Sequence, residues 1–258
     1  EMLFEEARGV EIEAVCASAR PRPHEESYMP VFLAGVGLAR SLAAARGVPL
    51  YLTSHQQGHV RAAMVDAGLP EGEPFLAVHL SGGTTELLKV EGLNIDLLGG
   101  SRDLHAGQFV DRAGVRMGLG FPAGPELECL ARKGKAQSVL PSWVRGMDCS
   151  FSGAETQVQR LIEQGERSRE DLAAEVFSCI ARTLAKMLGE AVRQTGLGHI
   201  LLSGGVASST YLREILPGRM ERAHVRAALH WGKPELSGDN AAGVALIGSE
   251  WHKWNPND

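Results

Sequence analysis

The stretch TSHQQGHVRAAMV at 53–65 sets His55 and His59 four residues apart among helix-compatible neighbours. On an α-helix this spacing brings both imidazoles to one face, one turn apart. Two neutral imidazoles so placed can clamp a divalent metal. They can equally be two half-buried histidines on an ordinary helix, and the spacing leaves both readings open. The zinc-peptidase signature HExxH needs a glutamate directly after the first histidine as general base. Here that residue is Gln56, which cannot take a proton from water. A second chemistry is written twice: LSGGTT at 80–85 and LSGGVASS at 202–209 each carry a glycine pair followed by hydroxyl residues. Such turns expose successive backbone N–H groups as concave nests for anions, and a helix opened by one adds its favourable N-terminus. The plain alternative is a tight turn after a strand.

The elements that must position these residues alternate between short apolar strands and longer helical stretches, the pattern of an α/β protein. IEAVCAS reads as a strand, MPVFLAGVGLARSLAAARG as a helix closed by Gly47, and VPLYLTS as a strand leading into the histidine helix. GLPEGEP at 68–74 has the composition of a linker. FLAVHLSGGTTELLKVEG reads as a β-hairpin about its glycine pair, and helical stretches are expected near 103–118 and 153–164. REDLAAEVFSCIARTLAKMLGEAVRQTG is a long helix with a glycine stop, and HILLSGGVASSTYLREIL a buried strand running through Gly204 and Gly205 into a helix.

Hydrophobic residues make up 44% of the 258 and charged ones 22%, and no apolar run nears the ~18 residues that span a bilayer. A soluble, cytoplasmic protein with no membrane role is expected. The four cysteines lie far apart with no CxxC pair, which excludes a zinc knuckle or a disulfide framework and fits a reducing compartment. A net charge of −5 excludes an unaided nucleic-acid binder of high affinity, since that affinity comes largely from phosphate neutralisation. The chain opens at Glu1 rather than methionine, so residues upstream of it are expected.

SHQQGHVRAA, LSGGTTELL, AGQFVDRAGVRMGLGFPAGP, DCSFSGAETQV, LSGGVASSTYLRE and SGDNAAGVALIG follow one another in this order. Together they resemble the family that makes threonylcarbamoyladenosine in tRNA, formerly called O-sialoglycoprotein endopeptidases, from about residue 11 to 248. The resemblance implies a two-lobed, actin-like ATPase fold with the first strands of lobe one missing. Lobe one would hold residues 1–72 with 237–258 returning to it, and lobe two 73–236. It implies transfer of threonylcarbamoyl from its adenylate to the adenine next to the tRNA anticodon, with no side chain needed as a covalent nucleophile. One divalent metal, iron(II) or zinc, would be held by His55, His59 and Asp239. Asp239 would otherwise suit a helix N-cap. An adenine nucleotide or threonylcarbamoyl-adenylate would meet Ser81, Gly82, Gly83, Thr84, Asp111, Gly124, Gly204, Gly205 and Ser209, with Asp111 on the ribose. Without a ligand, Asp111 would pair with Arg112 or Arg116, and Gly124 would be only a turn. tRNA would bind with the help of partner subunits, either a paralogous protein of the same pathway or a second copy of the chain.

The chain also departs from the family pattern. The strand-loop-strand segment that opens the family does not occur in this sequence, so either the sequence is a fragment or one wall of the nucleotide cleft is lost, and ARPRPHEESYM replaces a glycine-proline-glycine stretch. Thr84 stands for a histidine, Gln108 for a glutamate, Glu155 for a lysine and Ser209 for an asparagine. His79, on the same strand face as Ser81, is a candidate fourth ligand or a plain strand histidine. The alternative function is therefore a non-catalytic, metal- or nucleotide-binding paralogue acting as a partner subunit. A metallopeptidase ranks last because of Gln56.

Overall fold

The computed structural model describes residues 9–238 and 241–254. These fall into two compact units, one formed by the chain up to Ala62 with residues 241–254, the other by Ala63–Gly238. The division thus comes between Ala62 and Ala63, before the glycine- and proline-containing segment at 68–74.

In the first unit, β1 (Val15–Arg20) and β2 (Leu50–Ser54) pair in parallel, Val15 opposite Leu50 and Ser18 opposite Thr53. Parallel neighbours need a crossover, and α1 (Val31–Arg46) supplies it, stopping where Gly47 turns left-handed at φ 66°. Helix α2 (His55–Met64) follows β2 without a connecting residue. Ser54 and Gln57 start it reciprocally: the Gln57 N–H donates to Ser54 Oγ at 3.2 Å, and the Ser54 N–H donates to Gln57 Oε1 at 2.8 Å. This S-x-x-Q capping box fixes where the first helical turn begins, and so where His55 points.

In the second unit, β3 (Phe75–Leu80), β4 (Thr85–Glu91) and β5 (Asn94–Gly100) form an antiparallel meander. Helices α3 (Ala106–Arg116) and α4 (Gly124–Ala131) follow, then a small hairpin of β6 (Trp143–Arg145) and β7 (Asp148–Ser150), then α5 (Ser152–Gln164). Helix α6 (Arg169–Thr195) is the core of this unit, burying Val176, Ile180, Leu184 and Leu188 among others. The Ser168 hydroxyl caps it by accepting from the Asp171 N–H at 3.1 Å, and Gly196 ends it at φ 71°. Strand β8 (His199–Ser203), helix α7 (Thr210–Arg222) and strand β9 (Ala228–Trp231) complete the unit. The sheet order is β5-β4-β3-β8-β9, with β8 parallel to β3 and β9 parallel to β8.

The chain then returns to the first unit as α8 (Ala241–Trp254), which lies on α2 and β1. A Cβ on Gly243 would sit 1.9 Å from the Gly58 carbonyl oxygen, and one on Gly248 2.5 Å from Cys16 Cβ. Both contacts need the missing side chain. The Arg61 guanidinium, donating to Glu250 at 2.9 Å, closes the same face. Among the described residues no helix is long and apolar enough to cross a membrane, and all four cysteines are unpaired.

Candidate functional site

The two glycine turns meet at the end of the central strand. Val206 N–H donates to the Leu80 carbonyl at 3.0 Å, drawing the turn after β8 against the turn after β3. Gly204 permits that approach: its φ is 96°, and a Cβ there would lie 2.3 Å from Leu80 O. The start of α3 packs on the first turn in the same way. Gly107 N–H donates to Ser81 O at 3.1 Å, and a Gly107 Cβ would come within 2.6 Å of Ser81 O and Gly82 N. The buried Thr85 hydroxyl accepts from the Ala106 N–H at 2.8 Å, satisfying one of the helix's orphan donors. Gly82, Gly83 and Gly205 are different. None has a left-handed φ, and a Cβ on any of them would meet nothing within 4 Å. Neither turn geometry nor packing asks for glycine there, and what glycine provides is bare backbone.

Gly82 and Gly205 face a cavity of about 370 Å³, whose walls also carry Asp111, Gly124, Glu128 and Ser209. Ser81, Gly83, Thr84 and Gly204 build the turns beside it: Ser81 Oγ accepts from Gly83 N–H at 3.3 Å, and Ser81 N–H donates to Thr84 O at 2.8 Å. Asp111 does not pair with Arg112 or Arg116. Its Oδ1 accepts from the Ala123 N–H at 2.8 Å, and Arg116 bonds Glu163. Gly124 is not a bare turn, since it is the first residue of α4, with Pro125 next. The second glycine pair does not itself cap a helix either. Ser209 does, accepting from Leu212 N–H at 3.1 Å.

Glu128 went unrecognised in the sequence, hidden in an eight-residue helix whose start reads as a turn. Its Oε1 accepts from Tyr211 N–H at 2.8 Å and Thr210 Oγ1 at 2.6 Å. Partial burial disfavours its charge, but the bonds from Thr210, Tyr211, Ser209 and Arg132 outweigh this and hold the carboxyl below the usual range. The cavity therefore joins exposed backbone N–H groups, which suit an anion, to two carboxylates, which suit hydroxyl or amine donors.

On α2, His55 Nε2 and His59 Nε2 lie 3.1 Å apart, with ring centroids at 4.4 Å and planes at 78°. Phe32 packs edge-on to His55 at 5.8 Å. Zinc–nitrogen bonds of about 2.0–2.1 Å allow one ion to meet two nitrogens so spaced. Asp239 lies outside the described residues, and among those described no group of three or more His, Cys, Asp or Glu forms a metal cluster. His79 Nδ1 lies 3.2 Å from the Ser203 hydroxyl, across the β3–β8 ladder.

A profile of the family described as TsaD, tRNA N6-adenosine threonylcarbamoyltransferase, matches residues 27–246. A relative from Verminephrobacter eiseniae (strain EF01-2), named tRNA N6-adenosine threonylcarbamoyltransferase, is 38% identical over 223 residues, which is 83% of this chain. The chain spans 64% of that relative's length. Among solved structures, HypF of T. kodakarensis shares the fold at a TM-score of 0.61 and 16% identity, over 88% of this chain and 40% of its own. Full-length HypF in the phosphate- and nucleotide-bound form does so at 0.63 and 13%, over 97% and 42%. The activator of the 2-hydroxyisocaproyl-CoA dehydratase from Clostridium difficile with bound ADPNP follows at 0.53 and 18%, over 80% and 69%. These likenesses, at low identity, are of fold alone, and they agree with the actin-like α/β fold expected from the sequence. The profile match and the 38% identity bear out the resemblance carried by the histidine helix and the paired glycine turns: this chain belongs to the TsaD family of tRNA N6-adenosine threonylcarbamoyltransferases.

Proposed function

We propose that the chain transfers threonylcarbamoyl from threonylcarbamoyl-adenylate to the adenine beside the anticodon of tRNA. The exocyclic amine forms the new C–N bond to the carbamoyl carbon, the bond from that carbon to the adenylate phosphate oxygen breaks, AMP departs and the amine releases a proton. The observation that carries this reading is the cavity where bare glycine backbone faces two carboxylates. The Gly82 N–H takes the adenylate phosphate in the turn that Gly83 completes, Asp111 and Glu128 accept from the ribose hydroxyls, and Gly205 and Ser209 border the base. Fold neighbours named as nucleotide- or ADPNP-bound support the same use of the fold.

His55 and His59, with Asp239, hold one iron(II) or zinc ion. Two imidazoles and a carboxylate suit either metal and leave positions open. The support is the 3.1 Å approach of the two Nε2 atoms, together with Gly243, four positions after Asp239, lying against Gly58, next to His59. When bound, such an ion polarises a carbonyl as a Lewis acid. tRNA is received together with partner subunits, a paralogue or a second copy, in keeping with the −5 charge.

A non-catalytic paralogue is the second reading, favoured by Gln108 and Glu155 at positions where the family carries a glutamate and a lysine. Both serve local structure: Gln108 Oε1 accepts from His105 N–H at 3.1 Å, and the buried Glu155 bonds Gln159. Elemental analysis of the purified chain, combined with calorimetric titration of an adenylate analogue, tests the proposal. Stoichiometric metal lost in His55→Ala and His59→Ala, with adenylate binding weakened in Asp111→Asn, is expected. A chain that holds neither metal nor adenylate contradicts it.

A further inference from the structure

A groove of about 770 Å³ lies beside the cavity and shares Gly82 and Asp111 with it. Its outer residues have no part in the reading above. Phe121, just before α4, is 79% exposed, although burial of a phenylalanine side chain would stabilise the protein by about 1.5–3 kcal/mol. Arg112 and Arg116, four residues apart on α3, line the same groove. Arg116 is held by Glu163, whereas Arg112 is exposed and enters no ion pair among the described residues. An exposed aromatic face beside a cation is the pairing by which single-stranded nucleic acid is held, the base stacked and its phosphate neutralised. Buried pockets for side chains, the mark of a peptide groove, are not what Phe121 offers, because it stands out from the wall rather than forming a recess.

We propose that this groove is the subsite for one unstacked nucleotide adjoining the acceptor adenine, its base stacked on Phe121 and its phosphate met by Arg112. The inference rests on the threonylcarbamoyl-transfer reading and adds to it the element that receives single-stranded RNA. Continuity through Gly82 and Asp111 puts the neighbouring nucleotide next to the adenylate cavity, where a loop nucleotide flanking the reacting base must lie. Arg116 is paired with Glu163 and adds no net charge there, so Arg112 is the cation this subsite uses.

The test measures binding of a labelled anticodon stem-loop RNA to the full chain by fluorescence anisotropy at low salt, beside a fully paired duplex of the same composition. Calorimetry with an adenylate analogue runs in parallel. Phe121→Ala is expected to weaken stem-loop binding about 5- to 150-fold, the range that stacking of one base supplies, and Phe121→Trp to retain it. Arg112→Ala is expected to weaken binding and reduce its salt dependence. Duplex binding and adenylate affinity stay at parental values in all three variants. Variants that bind the stem-loop as the parent does, a loss that is equal for duplex and stem-loop, or a parent that does not bind the stem-loop overturns the subsite. If the parent also fails to bind the adenylate analogue, the transfer reading falls with it. If adenylate binds normally, only the subsite falls.

Discussion

Glycines of this chain divide by what surrounds the missing Cβ. Gly204 is held at φ 96° with Leu80 O at 2.3 Å from the position its Cβ would take, whereas the next residue, Gly205, faces open space at the cavity. Gly204→Ala is expected to destabilise the fold by at least about 2 kcal/mol through strain and overpacking. Gly205→Ala is expected to leave stability within about 0.5 kcal/mol and to weaken adenylate binding instead. Denaturant melts and calorimetry on the two variants separate the roles, and equal destabilisation of both would refute the division. The sequence showed a glycine pair and a preference for turns. It did not show which glycine supports the fold and which faces the cavity, because that depends on Leu80, a residue of another strand. Asp111 had the same ambiguity: its type and helical position were legible, and its bond to the Ala123 N–H comes from a loop that only tertiary structure brings near.

Long, strongly periodic segments were readable because their pattern is repeated over many residues: α6 over 27 residues with its glycine stop, and the β3–β4 hairpin about its glycine pair. Five elements escaped. Strand β5 ends in Gly99 and Gly100, which read as breakers but are strand residues crowded by Met147 O at 2.3 Å and Thr85 O at 2.4 Å from the Cβ positions. The β6–β7 hairpin has three-residue strands, β9 has four residues, and α4 opens through Pro125, all too short for a period to show. Two predictions belong to the joints between elements. Asp103, in the loop before α3, is partly buried, which disfavours its charge. Hydroxyl bonds from Ser150 and Ser152 and N–H bonds from Leu104 and Phe151 overcome this and hold its pKa at about 2. A carboxyl lowered on folding adds stability above its unfolded pKa of about 3.9, and that stability is lost as pH falls toward 2. Asp103→Asn is therefore expected to cost about 1 kcal/mol near pH 7, after discounting for its exposure, and much less near pH 2. Denaturant curves at both pH values check it, and a cost unchanged with pH would contradict it. Where α8 crosses α2, Gly243→Ala must push against the Gly58 carbonyl and is expected to cost about 1–3 kcal/mol. Thermal melts that show no loss would refute the close crossing.

At the scale of the whole chain, composition and motif order carried the α/β class and the family, because six segments recur in sequence across most of the length. The boundary between the two units was less legible. The glycine- and proline-containing segment at 68–74 looked like the natural break, yet the compact units divide between Ala62 and Ala63, inside a helix whose sequence has no break. Helix continuity is local, while unit membership follows packing, and no local signal reports it. The central claim is threonylcarbamoyl transfer to tRNA. Its most direct test is a transfer assay in which the chain, reconstituted with iron(II) or zinc and with the partner proteins of this pathway, receives threonylcarbamoyl-adenylate labelled in the threonine and unmodified tRNA. Label is expected in the tRNA at the adenine beside the anticodon, lost in His55→Ala and strongly reduced in Gly205→Ala. Unlabelled tRNA from a chain that binds both metal and adenylate would contradict transfer and establish a non-catalytic partner in its place.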